Sequence, residues 1–414
     1  MMKKIISLLV LAFPAFATAQ DFDTFLSAVE KYNTGYLAEK YNIDIAEANA
    51  EAARVFNDPE LSVEYGDNQD RTLMMGRTLD VGLAYSFSLG NVRRARISVA
   101  QSEEEVTRAL VADYFRNLRY EAMSAWAEAW EAREILALKR SSAESMISLA
   151  VSDSIRASVG EIGKTDARQS SIEARAMRGE MLKAQADYSN ALTLLSVLSG
   201  GMVFRDIRTI GSGASLTDMP VDALVSIALE ERADLKAALL SKNLSEKNLA
   251  LAKAELAPEI GLNLGYSYNK EVRNEIAPAP KFNGVTLGVS IPLKFSSANR
   301  GTRKAAEKAV MQADAAYEEA CRQIEAEVRM AWASYQAALE TAGECSDSML
   351  QDAAEILESR RKAYLQGDSS LLDYLIAVRV YNDTAESCIG AKSALFTAWA
   401  GLLSAVGSRE ESGQ

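Results

Sequence analysis

The chain has 414 residues, of which 25% are charged, and its 57 acidic side chains outnumber its 45 basic ones to give a net charge of −12. This acidic balance argues against the basic footprint of a nucleic-acid-binding protein. The sequence contains no histidine, which excludes imidazole-dependent catalysis and histidine-ligated zinc or haem. We therefore predict that the chain is not an enzyme and that it has no cofactor, no metal site and no nucleic-acid partner.

Residues 1–19 have the composition of a secretory signal peptide. Lys3 and Lys4 precede an apolar run from Ile5 to Ala17, and a small-x-small cleavage site ends at Ala19. This run is shorter than the roughly 20 residues with which a helix spans a bilayer. We expect no later transmembrane helix. The mature chain would then either be soluble outside the cytoplasm or enter a membrane as β-strands.

The sequence after the signal peptide is an internal duplication. Pro59, in Asp-Pro-Glu-Leu, recurs 199 residues later as Pro258, in Ala-Pro-Glu-Ile. A repeat of this length is a structural unit rather than a solenoid module. Further along, a constant separation of 207 residues relates Arg93 to Arg300, Gly160 to Gly367, Asp166 to Asp373, and Gly200 to Gly407. We predict a first repeat at 20–200, a linker or equatorial segment at 201–220, a second repeat at 221–407 and a polar tail at 408–414.

Each predicted repeat contains two segments in which apolar residues alternate with small or polar ones. They cover about 60–66 and 78–89 in the first repeat, and about 259–269 and 284–295 in the second. Such alternation fits both a half-buried sheet on a soluble core and tilted membrane strands. Four strands cannot close a barrel, so a membrane location requires several copies of the chain. The residues then expected to face the lumen are Gly82, Ser86, Gly261, Asn263 and Ser290.

Long helices are predicted between the strand segments. The stretch between Gly90 and Gly160 contains neither glycine nor proline. In the second repeat a single helix over 303–366 would be about 95 Å long, which is more than a compact core requires. The matched glycines, Gly160 and Gly367, predict the tips of two antiparallel helical hairpins. These tips are expected at about 160–166 and 367–373.

Together with several local motifs, these features resemble the TolC-like outer membrane efflux protein family. Each motif is weak alone, but their ordered recurrence covers residues 20–407. The motifs are Val159-Gly160 with Thr165-Asp166 at the first tip, Tyr364 with Gly367 and Asp373 at the second, Arg232-Ala233-Asp234-Leu235 in place of the family's Arg-Pro-Asp-Leu, the repeat endings Leu198-Ser199-Gly200 and Ala405-Val406-Gly407, and Tyr381-Asn382.

The resemblance implies a mainly helical homotrimer, with a twelve-stranded transmembrane β-barrel continued by a periplasmic α-barrel. It implies an outer membrane channel of a tripartite efflux system in a Gram-negative bacterium. Such a channel contacts outer membrane lipid and passively conducts substrates from an inner-membrane transporter, here expected to be of the resistance-nodulation-division type, through a periplasmic adaptor. The competing interpretation is a secreted coiled-coil scaffold or surface-fibre protein without channel activity, which the helices alone would support.

The resemblance also implies roles for residues at the tips. Ser369 stands where the family's best-known pattern has an arginine, and Ile376 stands where it has a second ring aspartate. For the two matched aspartates the alternative role is helix capping. The residues implied to close the periplasmic aperture are Asp166, Asp373 and Tyr364, and those implied to contact the adaptor are Val159, Gly160 and Gly367.

The chain has three cysteines, Cys321, Cys345 and Cys388. Cys345 and Cys388 are equally far from the second tip, so an antiparallel hairpin would place them at the same height. In an oxidising periplasm they could form a disulfide if their Cα atoms lie within about 7 Å. The alternative is two small buried residues on helix faces that do not meet.

Overall fold

The computed structural model describes residues 21–67, 72, 74–207, 209–210, 219–292 and 298–407. The predicted signal peptide and polar tail lie outside the described residues, as do residues 211–218 of the predicted linker. The chain divides into two compact units. The first contains residues up to 39, 112–233 and those from 322 on, and the second contains 40–111 and 234–321.

The elements occur in the same order in both halves of the described chain. Each half has a pair of helices, two strands and then a long helical hairpin, so the predicted fold class, mainly helical with a few antiparallel strands, is confirmed. The first half contains α1 (Phe22–Tyr32), α2 (Thr34–Ala52), β1 (Glu60–Asp67), β2 (Arg77–Ser88), α3 (Val92–Ser158) and α4 (Lys164–Leu198). The second contains α5 (Val221–Glu231), α6 (Ala233–Ala254), β3 (Glu259–Asn269), β4 (Phe282–Ser290), α7 (Ala298–Glu344), α8 (Asp347–Gln366) and α9 (Leu371–Val406).

The strands form one antiparallel sheet in the order β1-β2-β3-β4. The outer edges of β1 and β4 are therefore the edges of the sheet within the described chain. β4 ends at Ser290, earlier than the alternation to about 295 suggests. Pro292 accounts for this difference because proline has no backbone N–H to donate to a strand ladder. Residues 293–297 lie outside the described residues.

The helical arm that leads to the second tip is broken. The expectation of one helix over 303–366 is wrong, because α7 ends at Glu344 and α8 begins at Asp347. Ser346 is the N-cap of α8, and its side chain accepts a hydrogen bond from the backbone N–H of Met349. Gly343 lowers the helix propensity just before the break. The matched helix of the first half, α3, runs unbroken for 67 residues.

α9 is the most apolar of the long helices. Among the described residues it is long and apolar enough to cross a membrane, with a mean hydropathy of 1.3 over its most apolar window. By length and composition alone, α9 departs from the expectation that no later run approaches a transmembrane helix. Half of that window is buried inside the protein. Phe396 packs against Trp399, with ring centroids 5.2 Å apart, and edge-on against Phe22.

Two matched junctions make the duplication visible in three dimensions. Asn33 separates α1 from α2, and Arg232, 199 residues later, separates α5 from α6. The Asn33 amide donates to the carbonyl of Leu198 at 2.9 Å. The Arg232 guanidinium donates to the carbonyl of Ala405 at 3.1 Å. Because Leu198 and Ala405 are 207 residues apart, each junction contacts the matched end of its own repeat.

The glycine that follows each of these helix ends allows a close approach of the residue that separates the paired helices at the start of its repeat, or of the residue just before it. Gly200 and Gly407 have φ values of 72° and 76°, which glycine adopts without strain. A Cβ on Gly200 would lie 2.2 Å from the carbonyl oxygen of Tyr32, and one on Gly407 would lie 2.9 Å from the Cγ of Arg232. The recurring glycine therefore allows each repeat to close on its own start.

Candidate functional site

One face of the sheet carries small and polar side chains. Ser86, Gly261 and Ser290 form a register row across β2, β3 and β4. Gly82 lies four residues before Ser86 and Asn263 lies two after Gly261, so strand alternation puts both on the same face. All five residues expected at a lumen thus share one face of the sheet.

The opposite face is apolar. Leu61, Leu83, Leu264 and Leu287 form a register row across all four strands. All four are exposed in the protomer, and Leu287 is 79% exposed. A contiguous exposed apolar face of this kind indicates contact with a membrane or another protein. The longer strands, of 11 and 12 residues, have the length of tilted membrane strands.

The hairpin tips share a backbone conformation. Gly160, two residues after the end of α3, and Gly367, directly after α8, both have φ of 81°. This left-handed conformation ends a helix and favours glycine, which explains the recurrence at the matched position. Val159, next to Gly160, is exposed.

Tyr364 is buried near the second tip, although it comes from an arm that is exposed over much of its surface. It is 5% exposed, and its ring is nearly parallel to that of Tyr374, with centroids 6.0 Å apart. The guanidinium of Arg156 lies 5.6 Å from the Tyr364 ring centroid. We call the surrounding apolar group the tip cluster, and it contains Met146, Leu149, Ala174, Tyr364, Leu371, Tyr374 and Val378. Because the tip cluster takes residues from α3, α4, α8 and α9, it joins the two hairpins.

Asp153 on α3 is a site residue that the sequence reasoning missed. Its side chain is fully buried, and its carboxylate lies 3.9 Å from Nη1 of Arg156. Among the described residues, neither carboxylate oxygen receives a well-aligned hydrogen bond. Burial raises the pKa of Tyr364 well above its usual range, and the approach of its hydroxyl to Asp153 raises it further. A buried carboxylate without such bonds is energetically costly, so Asp153 lowers the stability of the packing around it.

A sequence signal for Asp153 does exist. Met146, Leu149 and Asp153 follow one another at spacings of three and four, which places Asp153 on the same stripe of α3 as two buried apolar residues. A charged residue on an otherwise apolar stripe is unusual unless it has a partner.

Asp373 forms a capping box at the start of α9. The Ser370 hydroxyl accepts a hydrogen bond from the Asp373 backbone N–H, and the Asp373 carboxylate accepts one from the Ser370 backbone N–H. The hydroxyls of Ser370 and Ser369 donate to the same carboxylate, at 2.7 and 3.2 Å. These hydrogen bonds lower the pKa of Asp373. Helix capping is therefore one role of Asp373, and Ser369 contacts it from the position where an arginine was expected.

Asp166 has a different environment. It is exposed in the first turn of α4, whose N-cap is Gly163 and which has no side-chain cap. Its carboxylate lies close to Gly163, and its negative charge acts on Tyr364. Ile376, where a second ring aspartate was expected, is exposed on α9. The two matched aspartates thus occupy equivalent positions with unequal hydrogen bonding.

The cysteines are free thiols in the structure. Cys321 belongs to the second structural unit, whereas Cys345 and Cys388 belong to the first. Cys345 lies at the break between α7 and α8, and Cys388 is buried on α9. Among the described residues, no group of three or more Cys, Asp or Glu side chains is placed to hold a metal ion.

Comparison with known sequences finds a family model that matches part of the chain. Residues 224–408 match the family model described as outer membrane efflux protein. The cobalt-zinc-cadmium resistance protein CzcC of Cupriavidus metallidurans is 24% identical over 294 residues, which cover 71% of this chain and 66% of that protein. The match thus spans about two thirds of the relative's length.

Solved structures share the fold over almost the whole chain. CusC, a protein described in terms of transmembrane channel formation, matches with a TM-score of 0.76 at 18% identity, covering 95% of this chain and 93% of its own. The CmeC outer membrane channel of Campylobacter jejuni matches with a TM-score of 0.76 at 14% identity, covering 93% of this chain and 85% of its own. The fold that the resemblance implies is therefore confirmed.

Proposed function

From the match of residues 224–408 to the outer membrane efflux protein family model, we propose that this chain forms the outer membrane channel of a tripartite efflux system. The channel lies in the outer membrane, extends into the periplasm and conducts its substrates passively. The fold shared with solved channels over more than nine tenths of the chain supports this function. A secreted scaffold or surface fibre would not require strands of membrane length with an exposed apolar face.

The observation that carries the proposal is the division of the sheet into two faces. The leucine row faces outer membrane lipid, and the small and polar face turns toward a water-filled lumen. Open sheet edges are not tolerated in lipid, so the outer edges of β1 and β4 must pair with other copies of the chain. Three copies supply twelve strands, and a homotrimer closes the barrel without an unpaired edge.

The helical tips form the periplasmic aperture in this proposal. Asp166 and Asp373 surround the opening, while Tyr364 holds the second hairpin against the first through the tip cluster. Asp153 and Arg156 are added to this set because both contact Tyr364. A carboxylate already engaged in capping is less available for other bonds, so we propose that Asp153 and Tyr364 contribute more to closure than Asp373.

The adaptor is proposed to contact the tips at Val159, Gly160 and Gly367. Exposed apolar residues support this contact on the first hairpin, where Val151 and Ile155 precede Val159 on α3. Next to them lies a groove of about 340 Å³ between α3 and α4, lined by Ile147, Val151, Ser154, Ala174, Arg175 and Arg178 among others. The adaptor would link the channel to an inner-membrane transporter, which we propose to be of the resistance-nodulation-division type.

The sheet faces provide a direct test. Leu287→Arg places a charge on the proposed lipid face, where it costs about 2–4 kcal/mol at the membrane midplane. Ser290→Arg is the matched control, since it places the same charge three residues away on the other face of β4. We expect the first variant to be depleted from the outer membrane fraction. The second should remain there as a trimer by light scattering in detergent, with altered ion selectivity in planar bilayers.

A water-soluble monomer in the unmodified protein would contradict the channel. Equal behaviour of the two arginine variants would contradict the assignment of the faces. Retention of Leu287→Arg with loss of Ser290→Arg would reverse it.

A further inference from the structure

Cys345 lies in the short break between α7 and α8. α7 ends at Glu344, and Ser346 already caps α8. Residues between two helices lack the full set of helical backbone hydrogen bonds, so the backbone of Cys345 can adjust its direction more easily than a residue inside a helix. Its side chain is partly accessible to solvent.

Cys388 lies on α9 and is 2% exposed. Burial raises the pKa of Cys388 to about 11, and the neighbouring Cys345 side chain is the second cause. The two cysteines predicted to lie at the same height are therefore neighbours in the structure. Cysteines whose Cα atoms lie within about 7 Å can form a sulfur–sulfur bond of about 2.05 Å.

We propose that Cys345 and Cys388 form a disulfide once the chain has reached the periplasm. The proposal rests on the proposed outer membrane function, because that location exposes the helices to an oxidising compartment. Cys321 has no other cysteine in its own structural unit and stays reduced.

The oxidant is the active-site disulfide of a periplasmic thiol oxidase. The more accessible Cys345 attacks this disulfide as a thiolate, forms a mixed disulfide and releases one oxidase thiolate. Cys388 then gives up its proton and attacks the sulfur of Cys345, which releases the second oxidase thiolate. Two electrons and two protons pass from the cysteine pair, and the oxidase is left as a dithiol.

The bridge would fasten the tip half of the second hairpin at the break between α7 and α8. The loop that it closes contains all of α8, the second tip and the first part of α9, including Tyr364 and Asp373. In the first repeat the residues 207 positions earlier are Leu138 and Met181, and no bridge is needed there because α3 is continuous. The disulfide thus replaces a connection that the break in the second repeat removes.

The test counts thiols in the full-length protein. Cells are quenched in acid, and denatured protein from the outer membrane fraction is treated with a maleimide that adds a known mass. We expect one label without reductant, at Cys321, and three after reduction. Three labels without reductant would overturn the bridge. Because the same sample is fractionated first, protein found outside the outer membrane would instead contradict the proposed function.

Three cysteine variants, and a host that lacks the periplasmic thiol oxidase, test which thiols are labelled and what oxidises them. Without reductant, Cys388→Ala and Cys345→Ala should each take two labels, and Cys321→Ala should take none. Three labels on the unmodified protein in a host without the periplasmic thiol oxidase would support the proposed oxidant. A bridge that persists in that host would overturn this route.

Hydrogen exchange tests the fastening role. Reduction should speed amide exchange in α8 at least tenfold and leave the matched part of α3 unchanged. Equal exchange in α8 before and after reduction would overturn the fastening role.

Discussion

The junctions at Asn33 and Arg232 fill the same place in the two repeats with different side chains. Both donate to a carbonyl at the end of the last helix of the repeat, where such groups lack a helical partner. Asn33 does so with a neutral amide. Arg232, only 2% exposed, also forms an ion pair of 2.7 Å with Glu327. The duplicated fold therefore requires a donor at this position, and the charge is an addition of the second repeat.

The hairpins differ in a second way. The first hairpin has an unbroken arm, α3, and no side-chain cap at the start of α4. In the second, α8 is bounded by the Ser346 cap and by Gly367, and α9 starts with the Ser370 capping box. Each segment of the second hairpin thus has its own end signals.

The largest effect is expected from Tyr364→Ala. Removing a buried aromatic ring from a core costs roughly 3–5 kcal/mol, here from the packing of the second hairpin on the first. Hydrogen exchange in α8 should accelerate, and single-channel conductance should rise because the aperture is held less tightly. Ile155→Ala, an exposed position on the first hairpin, is the matched control and should change little.

Tyr364→Phe separates the ring from the hydroxyl. It keeps the packing but removes the group next to Asp153, so stability should largely remain. If conductance rises in Tyr364→Phe as much as in Tyr364→Ala, the Tyr364 hydroxyl rather than its ring keeps the aperture closed. Unchanged exchange and conductance in Tyr364→Ala would contradict the role of the tip cluster.

Substitutions at the junctions, Arg232 and Asn33, should cause the next largest loss of stability. Arg232→Ala leaves Glu327 and the Ala405 carbonyl without their partner. We expect a loss of about 2–3 kcal/mol, below the usual cost of breaking a buried pair because Glu327 is partly solvated. Asn33→Ala removes one buried neutral hydrogen bond and should cost about 1–2 kcal/mol. Thermal denaturation in detergent measures both.

A second substitution tests why Arg232→Ala should lose more stability than Asn33→Ala. Glu327→Gln in the Arg232→Ala background should recover part of the loss, because it removes the unpaired charge. Asn33 donates a neutral hydrogen bond, so its junction offers no corresponding charge to remove. If Arg232→Ala and Asn33→Ala lose equal stability and Glu327→Gln recovers none of it, the result would contradict the view that the second junction has a charge interaction in addition to its hydrogen bond.

The sequence predicts the features that have local causes. Strands follow from alternation with period two, and the tips follow from glycines with positive φ at Gly160 and Gly367. The break before Ser346 is harder to predict, because one glycine in a helix is a weak signal. Asp153 and Tyr364 could not be paired from the sequence, since their contact depends on how two hairpins from different repeats pack. Likewise, equal height along the hairpin could not show that Cys345 lies near enough to act on the Cys388 thiol.

The smallest effect concerns pH at the two tips. The folded-state pKa of Asp373 lies below its ordinary value of 3.8, so its capping bonds stabilise α9 above that value and are lost as the pH falls through the lower folded-state pKa. We expect intrinsic-rate-corrected hydrogen exchange in the first turn of α9 to accelerate below about pH 4. Ser370→Ala should weaken this step, whereas the first turn of α4, capped by Gly163, should respond less. The same acid response in both turns would show that the capping box does not distinguish the second tip from the first.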